Sequence, residues 1–131
     1  MKTISKKLIS EWSTKKPLYI KKTDKRYARY VKQLKTNGFC DVETWGLDSV
    51  IAQFILPRLI RFKEINIGYP IDLTFEQWNT TLDEIIFAFE WSLHNEDKQY
   101  NTLTIEQRKQ NWNRYYKGMK EFAKHFRELW W

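Results

Sequence analysis

The sequence predicts an all-α protein: a single compact domain of four or five helices with a proline-kinked central helix. Three observations lead to this prediction. Apolar residues recur at intervals of three and four along most of the chain. Two Thr-x-x-Gln sequences have the form of a helix-starting capping box. Four glycines and three prolines in 131 residues leave little material for the turns of a β-sheet.

The first strong helical pattern lies in the sequence "KKTDKRYARYVKQLKTNG", at residues 21–38. Its apolar positions follow the i, i+3, i+4, i+7 spacing and are Tyr27, Tyr30, Val31 and Leu34. Asn37 and Gly38 provide a C-terminal stop. Upstream, residues 2–12 have the composition of a short additional helix that ends at the "STKKP" sequence.

The central helix is predicted from about Trp45 to Ile65 and contains Pro57. Its apolar stripe consists of Leu47, Val50, Ile51, Phe54, Ile55, Leu59 and Phe62. Pro57 has no N–H to donate to the carbonyl oxygen of Gln53, and its ring crowds that turn, so we expect a kink or break there. The sequence "NIGYPIDL" then forms a loop, because Gly68 and Pro70 interrupt any regular element.

Two further helices are predicted from their starts. Thr74 with Gln77 opens one that continues to about Leu93, and Thr104 with Gln107 opens one that runs to the C-terminus. The last helix carries a stripe typical of a protein core or of an oligomer interface: Trp112, Tyr115, Tyr116, Met119, Phe122, Ala123, Phe126 and Trp130. Trp130 and Trp131 point about 100° apart on a helix, so at least one should meet another surface. We therefore expect a homodimer or another symmetric oligomer.

The net charge of +7 is distributed unevenly. Residues 1–37 hold twelve basic against two acidic side chains, whereas the remaining residues hold eleven basic against fourteen acidic ones. The sequence thus divides into a basic N-terminal arm or helix, residues 1–37, and a helical core, residues 38–131, within one domain. Tyrosines alternate with cations in the arm, which favours phosphate contacts combined with base stacking. The residues that would bind a nucleic acid in this way are Lys25, Arg26, Tyr27, Arg29, Tyr30 and Lys32.

Enzymatic chemistry has little support in the sequence. Neither a G-x-x-x-x-G-K loop nor a G-x-G-x-x-G loop occurs, and there is no nucleophile elbow. Glutamate precedes histidine by four residues twice, at Glu90–His94 and Glu121–His125, but this is also the spacing of ordinary helix surface pairs. We therefore expect no catalytic residues, no metal site and no cofactor. The single cysteine, Cys40, excludes an intrachain disulfide and fits a small apolar role in a reducing compartment.

The residues around Pro57 form the predicted ligand site. Arginine forks suit phosphate or carboxylate groups, and aromatic rings at the two ends of the segment suit a base. The predicted ligand-binding residues are Trp45, Arg58, Arg61, Lys63, Tyr69 and Trp78. Arg58 and Arg61 should lie on one face, opposite much of the apolar stripe. The alternative is a bend around the core in which the arginines pair with carboxylates such as Asp48 or Asp72.

The sequences "GFCDVETWGLDSVIAQFILPRLIRFKE" and "GYPIDLTFEQWNTTLDEIIFAFE" carry a resemblance. Together they resemble a group of small tailed-bacteriophage proteins of unassigned function, which share W-x-L-D, I-x-P-x-L, G-Y-P and a W-x-x-x-L-D helix. The similarity covers about residues 38–90, and the basic N-terminal segment is similar more loosely. It implies a phage origin and action in the host cytoplasm, but it supplies no catalytic residues.

These observations favour an accessory phage protein that counters bacterial defence by sequestering a nucleotide immune signal without hydrolysis. Two alternatives stay open: a protein-binding inhibitor of a host or defence protein, and nucleic-acid binding through the basic segment. The opening residues lack the apolar region of a signal peptide, and no apolar run has the length of a membrane span. We therefore expect no membrane association and a location in the host cytoplasm.

Overall fold

The computed structural model describes residue 17, residues 20–97 and residues 102–130. Every regular element in these ranges is helical, which confirms the all-α prediction. The helices are α1 (Tyr27–Asn37), α2 (Asp41–Trp45), α3 (Leu47–Ile65), α4 (Phe75–His94) and α5 (Ile105–His125), followed by a 3-10 turn at Phe126–Glu128. None of these described helices combines the length and the apolar character that crossing a bilayer would require.

The chain divides into two compact units, Met1–Pro57 and Arg58–Trp131. The division falls within α3 and thus differs from the boundary that charge predicts between residues 37 and 38. The helix predicted over residues 2–12 and the position of Trp131 lie outside the described residues. Each unit is described by itself below.

In the first unit, α1 begins later than its sequence pattern predicts. The Asp24 carboxylate accepts a hydrogen bond from the backbone N–H of Arg26 at 2.8 Å, which holds a turn immediately before the helix. Gly38 closes α1 with a φ of 80°, in the left-handed region that favours glycine. The Gln33 side chain then exchanges two hydrogen bonds with Asp41, at 2.9 and 2.8 Å, and so joins α1 to the start of α2.

Helix α3 contains Pro57 in its interior and continues past it to Ile65. Of the two expected outcomes, a kink or a break, the continuous helix excludes the break. A proline in a helix interior costs about 3 kcal/mol, because it removes one hydrogen bond and crowds the preceding turn. Pro57 is buried, as are Leu56 and Leu59 on either side of it. Burial of such side chains stabilises by about 1.5–3 kcal/mol each, which is enough to offset the proline.

The predicted stripe of α3 is only partly a core face. Val50 and Leu59 are buried, whereas Leu47, Ile51 and Phe54 are exposed.

Helices α4 and α5 begin where their capping boxes predict. The Thr74 hydroxyl accepts a hydrogen bond from the backbone N–H of Gln77, and the Gln77 side chain accepts one from the backbone N–H of Thr74. Thr104 and Gln107 repeat this exchange with the same distances, 3.1 and 2.9 Å. These bonds satisfy N–H groups that a helix start otherwise leaves without partners.

The core of the second unit lies between α4 and α5, which run antiparallel. Trp78 near the start of α4 contacts His125 at the end of α5, and Trp91 near the end of α4 contacts Tyr115. Between these ends, Phe89 and Phe122 meet at right angles with ring centroids 5.0 Å apart. Aromatic edge-to-face contacts of this kind add about 0.5–1.5 kcal/mol to the free energy gained by burial.

Candidate ligand-binding surface

The three predicted cationic ligand residues, Arg58, Arg61 and Lys63, occupy the last two turns of α3. Both arginines are exposed. Arg61 forms an ion pair with Glu64 at 3.1 Å, one turn along the same helix, and the Lys63 amine lies 2.6 Å from the Asp83 carboxylate on α4. Arg61 and Lys63 therefore already have an acidic partner that an anionic ligand would need to displace.

The predicted aromatic residues differ in exposure and in the unit to which they belong. Trp45 is 88% exposed but belongs to the first unit. Tyr69 is exposed in the loop after α3 and packs edge-to-face against Phe75 with centroids 6.2 Å apart. Trp78 is only 1% exposed and lies edge-on to His125 at 5.4 Å. Trp78 is a core residue in this structure, because it lies on the face of α4 that α5 covers.

In the alternative nucleic-acid segment, Arg26 pairs with an acidic residue in the turn before α1 and is not available to phosphate. Its guanidinium donates to both oxygens of Asp24, at 3.1 and 3.0 Å. This hydrogen bond, the accompanying backbone bond and the positive charge of Arg26 lower the pKa of Asp24 from 3.8 to about 2. The same pairing raises the pKa of Arg26.

The other predicted residues of that segment differ in exposure. Tyr30 is buried, and the Arg29 guanidinium lies over its ring at 5.1 Å from the centroid. Tyr27 is half-buried, whereas Lys25, Arg29 and Lys32 are exposed. The described part of the segment thus offers cations to a phosphate chain but lacks an exposed tyrosine pair on which bases could stack.

The exposed aromatic stack of the second unit lies on α5. Trp112 and Tyr116 are one helical turn apart, and their rings are stacked with centroids 5.6 Å apart and an interplanar angle of 26°. They are 47% and 56% exposed, respectively. Large aromatic surface open to solvent is unfavourable in a protein without a partner, so this pair marks a candidate binding surface.

A buried ring holds this stack in place. Trp91, on α4, is buried and contacts Trp112 edge-on at 4.5 Å and Tyr115 at 4.9 Å. Tyr115 in turn packs against both Trp112 and Tyr116, at 5.9 and 5.3 Å. Because these neighbours restrict the rings before any ligand arrives, little side-chain entropy remains to be lost on binding.

Lysines flank the stack on both sides along the helix. At 100° per residue, five exposed residues between Lys109 and Lys120 fall within an arc of about 100°, and we name them the aromatic–lysine face. They are Lys109, Trp112, Asn113, Tyr116 and Lys120. In residues 20–97 and 102–130, neither lysine of this face forms an ion pair. Helix α5 carries six basic side chains and two acidic ones, and the acidic Glu121 is paired with His125.

The sequence contained a signal for this face. The segment "RKQNWNRYYKGMK" interleaves aromatic and cationic residues. The helical spacing of its aromatic residues, however, is equally typical of a protein core or an oligomer interface. A second helix can cover only part of the arc that these aromatics span. Tyr115 and Phe122 face α4, whereas Trp112 and Tyr116 lie at the edge of the contact.

Both histidines lie next to carboxylates of neighbouring residues. His94 contacts Asp97 at 3.0 Å, and the buried His125 contacts Glu121 at 3.3 Å and Glu128 at 2.5 Å. Within the ranges that the structure covers, no group of three or more histidine, cysteine, aspartate or glutamate side chains is placed to hold a metal ion.

Comparison of the chain with protein-family models, with curated proteins and with solved structures finds no match.

Proposed function

We propose that this protein is a phage accessory protein that counters bacterial defence by binding a nucleotide-type immune signal without hydrolysing it. The observation that carries the proposal is the aromatic–lysine face, where two stacked, half-exposed rings lie between lysines that have no described acidic partner. The phage context rests on the resemblance of residues 38–90 to small tailed-bacteriophage proteins.

The chemistry of this face suits a nucleotide. A base that stacks on an aromatic side chain gains about 1–3 kcal/mol, and this gain does not depend strongly on the identity of the base. Lys109 and Lys120 supply mobile point charges for phosphate oxygens, and Asn113 adds an amide donor and acceptor. Together these groups supply binding. Sequestration by binding alone leaves a captured ligand intact.

The Arg58 and Arg61 face is a weaker candidate for the same ligand. Arg61 has Glu64 as a partner. Of the aromatic residues predicted to complete the site, Trp78 is buried and Trp45 belongs to the other unit. A variant at these arginines therefore provides the comparison that locates the site.

The experiment mixes purified protein with cyclic oligonucleotides or ADP-ribose derivatives, separates free ligand by size exclusion, and then heats the complex. Chromatography of the released ligand shows whether a nucleotide was retained and whether its phosphate bonds are intact. We expect retention at micromolar protein concentration, with loss of retention in Trp112→Ala/Tyr116→Ala and retention unchanged in Trp130→Ala. Trp130 is an exposed tryptophan of the same unit outside the face, so it controls for simple removal of an indole. Absence of any retained nucleotide, or release of a cleaved product, would contradict the proposal.

A second candidate function is binding to a host or defence protein, and a different surface favours it. The loop between α3 and α4, together with the first residue of α4, exposes four large apolar side chains, namely Ile67, Tyr69, Ile71 and Phe75. The Asn66 side chain fixes the start of this loop through two hydrogen bonds with the backbone of Gly68, at 2.7 and 3.1 Å. An ordered apolar loop of this kind suits a hot spot in a protein interface. Affinity capture from host lysate that is lost in Ile67→Asp/Ile71→Asp but kept in Trp112→Ala/Tyr116→Ala would support this function over the first.

A further inference from the structure

The lysines of α5 extend well beyond the aromatic stack in both directions. Lys109 precedes Trp112 by three residues, and Lys120 follows Tyr116 by four. At 1.5 Å per residue, the two lysine positions are about 16 Å apart along the helix axis. Lys117 and Lys124 are also exposed and lie at the same side of the helix as Lys120, so the cationic row continues to the last turn.

This layout sets a condition on the ligand. Bases of the ligand that stack on Trp112 and Tyr116 would lie in the middle of the lysine row. Contact with the lysines at both ends of the row then requires phosphates on both sides of these bases. A mononucleotide carries its phosphates on one side of a single base and can satisfy only one end of the row. A strand with several phosphodiester links has a charge on each side of every internal base. Stacked nucleotides advance by about 3.4 Å each, so about four or five of them span the distance from Lys109 to Lys120.

The bases must also be accessible. The bases of a duplex are already paired and stacked on neighbouring bases. They cannot stack on Trp112 and Tyr116 unless the duplex opens locally. Single-stranded ligands present their rings freely, and stacking on exposed aromatics together with a cationic track is how such strands are bound without sequence preference. The rise of one helical turn between Trp112 and Tyr116, about 6 Å, leaves room for one or two bases at the stack.

We infer that the aromatic–lysine face binds a single-stranded oligonucleotide of about four nucleotides, with one or two bases on Trp112 and Tyr116 and phosphates on Lys109 and Lys120. The inference rests on the proposed function and narrows its ligand to this length and form. It assigns the flanking lysines to separate phosphates of one strand.

Isothermal titration calorimetry with five probes tests this inference on the full-length protein. The probes are adenosine monophosphate, a linear tetra-adenylate, a cyclic tetra-adenylate, a cyclic di-adenylate and a twelve-base-pair duplex. We expect the linear or the cyclic tetramer to bind at least tenfold more tightly than the monophosphate and the duplex. The comparison of the linear with the cyclic tetramer then identifies which form the face accepts.

Variants locate the site. Trp112→Ala/Tyr116→Ala should weaken tetramer binding at least tenfold. Lys120→Gln should weaken it less and reduce the slope of log affinity against log salt by about 0.7, the value for one phosphate contact on a single strand. Lys35→Gln removes an exposed cation of α1, away from the lysines of α5, and should leave both the affinity and the slope unchanged. Far-UV circular dichroism of every variant verifies that the helices are retained.

The possible failures are distinguishable. Equal affinity for the monophosphate and the tetramers would overturn the inference while leaving nucleotide binding intact. Tetramer binding that survives both substitutions would show that the strand binds elsewhere and would also overturn it. Duplex binding as tight as tetramer binding would rule out base stacking as its basis. If none of the five probes binds, the inference fails, and the proposed function is then decided by the retention experiment with ADP-ribose derivatives.

Discussion

Substitution of Gly118 by alanine tests the closest approach between α4 and α5. Gly118 is buried on α5 and faces the backbone of α4. A Cβ atom added there would lie 2.3 Å from the carbonyl oxygen of Glu84 and 2.7 Å from the Cβ atom of Ala88. Both neighbours are backbone or short side-chain atoms that cannot rotate away, so the two helices themselves have to move.

The expected loss of stability follows from that geometry. An ordinary van der Waals contact begins at 3.4 Å, so the helices must separate by about 1 Å at this point. A radial gap of that size forfeits a quarter to a half of the dispersion energy of each neighbouring contact. Overpacking of this kind costs about 1–3 kcal/mol, and a rigid backbone neighbour favours the upper end. Alanine recovers about 1 kcal/mol through its higher helix propensity. We therefore expect the free energy of unfolding to fall by about 2 kcal/mol.

Urea denaturation followed by circular dichroism and by tryptophan fluorescence measures this loss. The matched control is Gly46→Ala, since a Cβ atom at Gly46 would meet no atom within 4 Å and the backbone there has a φ of −118°. The control should change the free energy of unfolding by no more than about 0.5 kcal/mol. For a chain of this size, 2 kcal/mol corresponds to a fall in Tm of about 6–8 °C. If Gly118→Ala is as stable as the unmodified protein, α4 and α5 are not packed this closely and the argument is refuted.

Three further outcomes follow from local contacts. NMR titration of the Asp24 carboxyl should give a pKa of about 2, and Arg26→Gln should return that pKa towards 3.8. Because the pKa of Asp24 is lowered in the folded state, its pairing with Arg26 stabilises the fold above the unfolded pKa. This contribution to stability disappears as the pH falls through 2. An unchanged titration in that variant would contradict the assignment. Thr74→Ala should lower the free energy of unfolding by about 1 kcal/mol through loss of the helix cap, as urea denaturation would show, and Thr74→Ser should retain most of it. Arg114→Lys should lower it by about 1 kcal/mol in the same assay, because lysine cannot reproduce the forked hydrogen bonds to Glu84; stability equal to that of the parent would show that the fork contributes nothing.

Features that depend on neighbouring residues could be predicted from the sequence. Both capping boxes start their helices at the predicted residue, since the bonds between Thr74 and Gln77 are made within one turn. Gly38 ends α1 for an equally local reason, its left-handed backbone. The helix does not break at Pro57, because burial of the residues around the proline, which is a tertiary effect, outweighs the lost hydrogen bond.

The candidate surface was harder to predict for the same physical reason. Helical periodicity identifies which aromatic residues share a face, but it does not show how much of that face a neighbouring helix covers. Trp78 was expected to meet a ligand and is instead covered by α5. The pattern predicts Trp112 and Tyr116 in the core or at an oligomer interface. They are half-exposed in the single chain, because Trp91 contacts Trp112 only at one edge, so they are not core residues. The predicted oligomer stays a prediction.

The tight packing and the exposed face of α5 are physically connected. Gly118 permits close approach to α4, and the Phe89–Phe122 contact fixes the rotation of α5 about its axis. With that rotation fixed, Trp112 and Tyr116 must lie at the edge of the helix pair. A larger residue at position 118 would push α5 outwards and loosen the support beneath the stack. Gly118→Ala should therefore weaken oligonucleotide binding even at temperatures where the protein remains folded, whereas Thr74→Ala, which destabilises α4 at its far end, should not. Equal affinities for the two folded variants would show that the stack does not depend on the close approach of the helices.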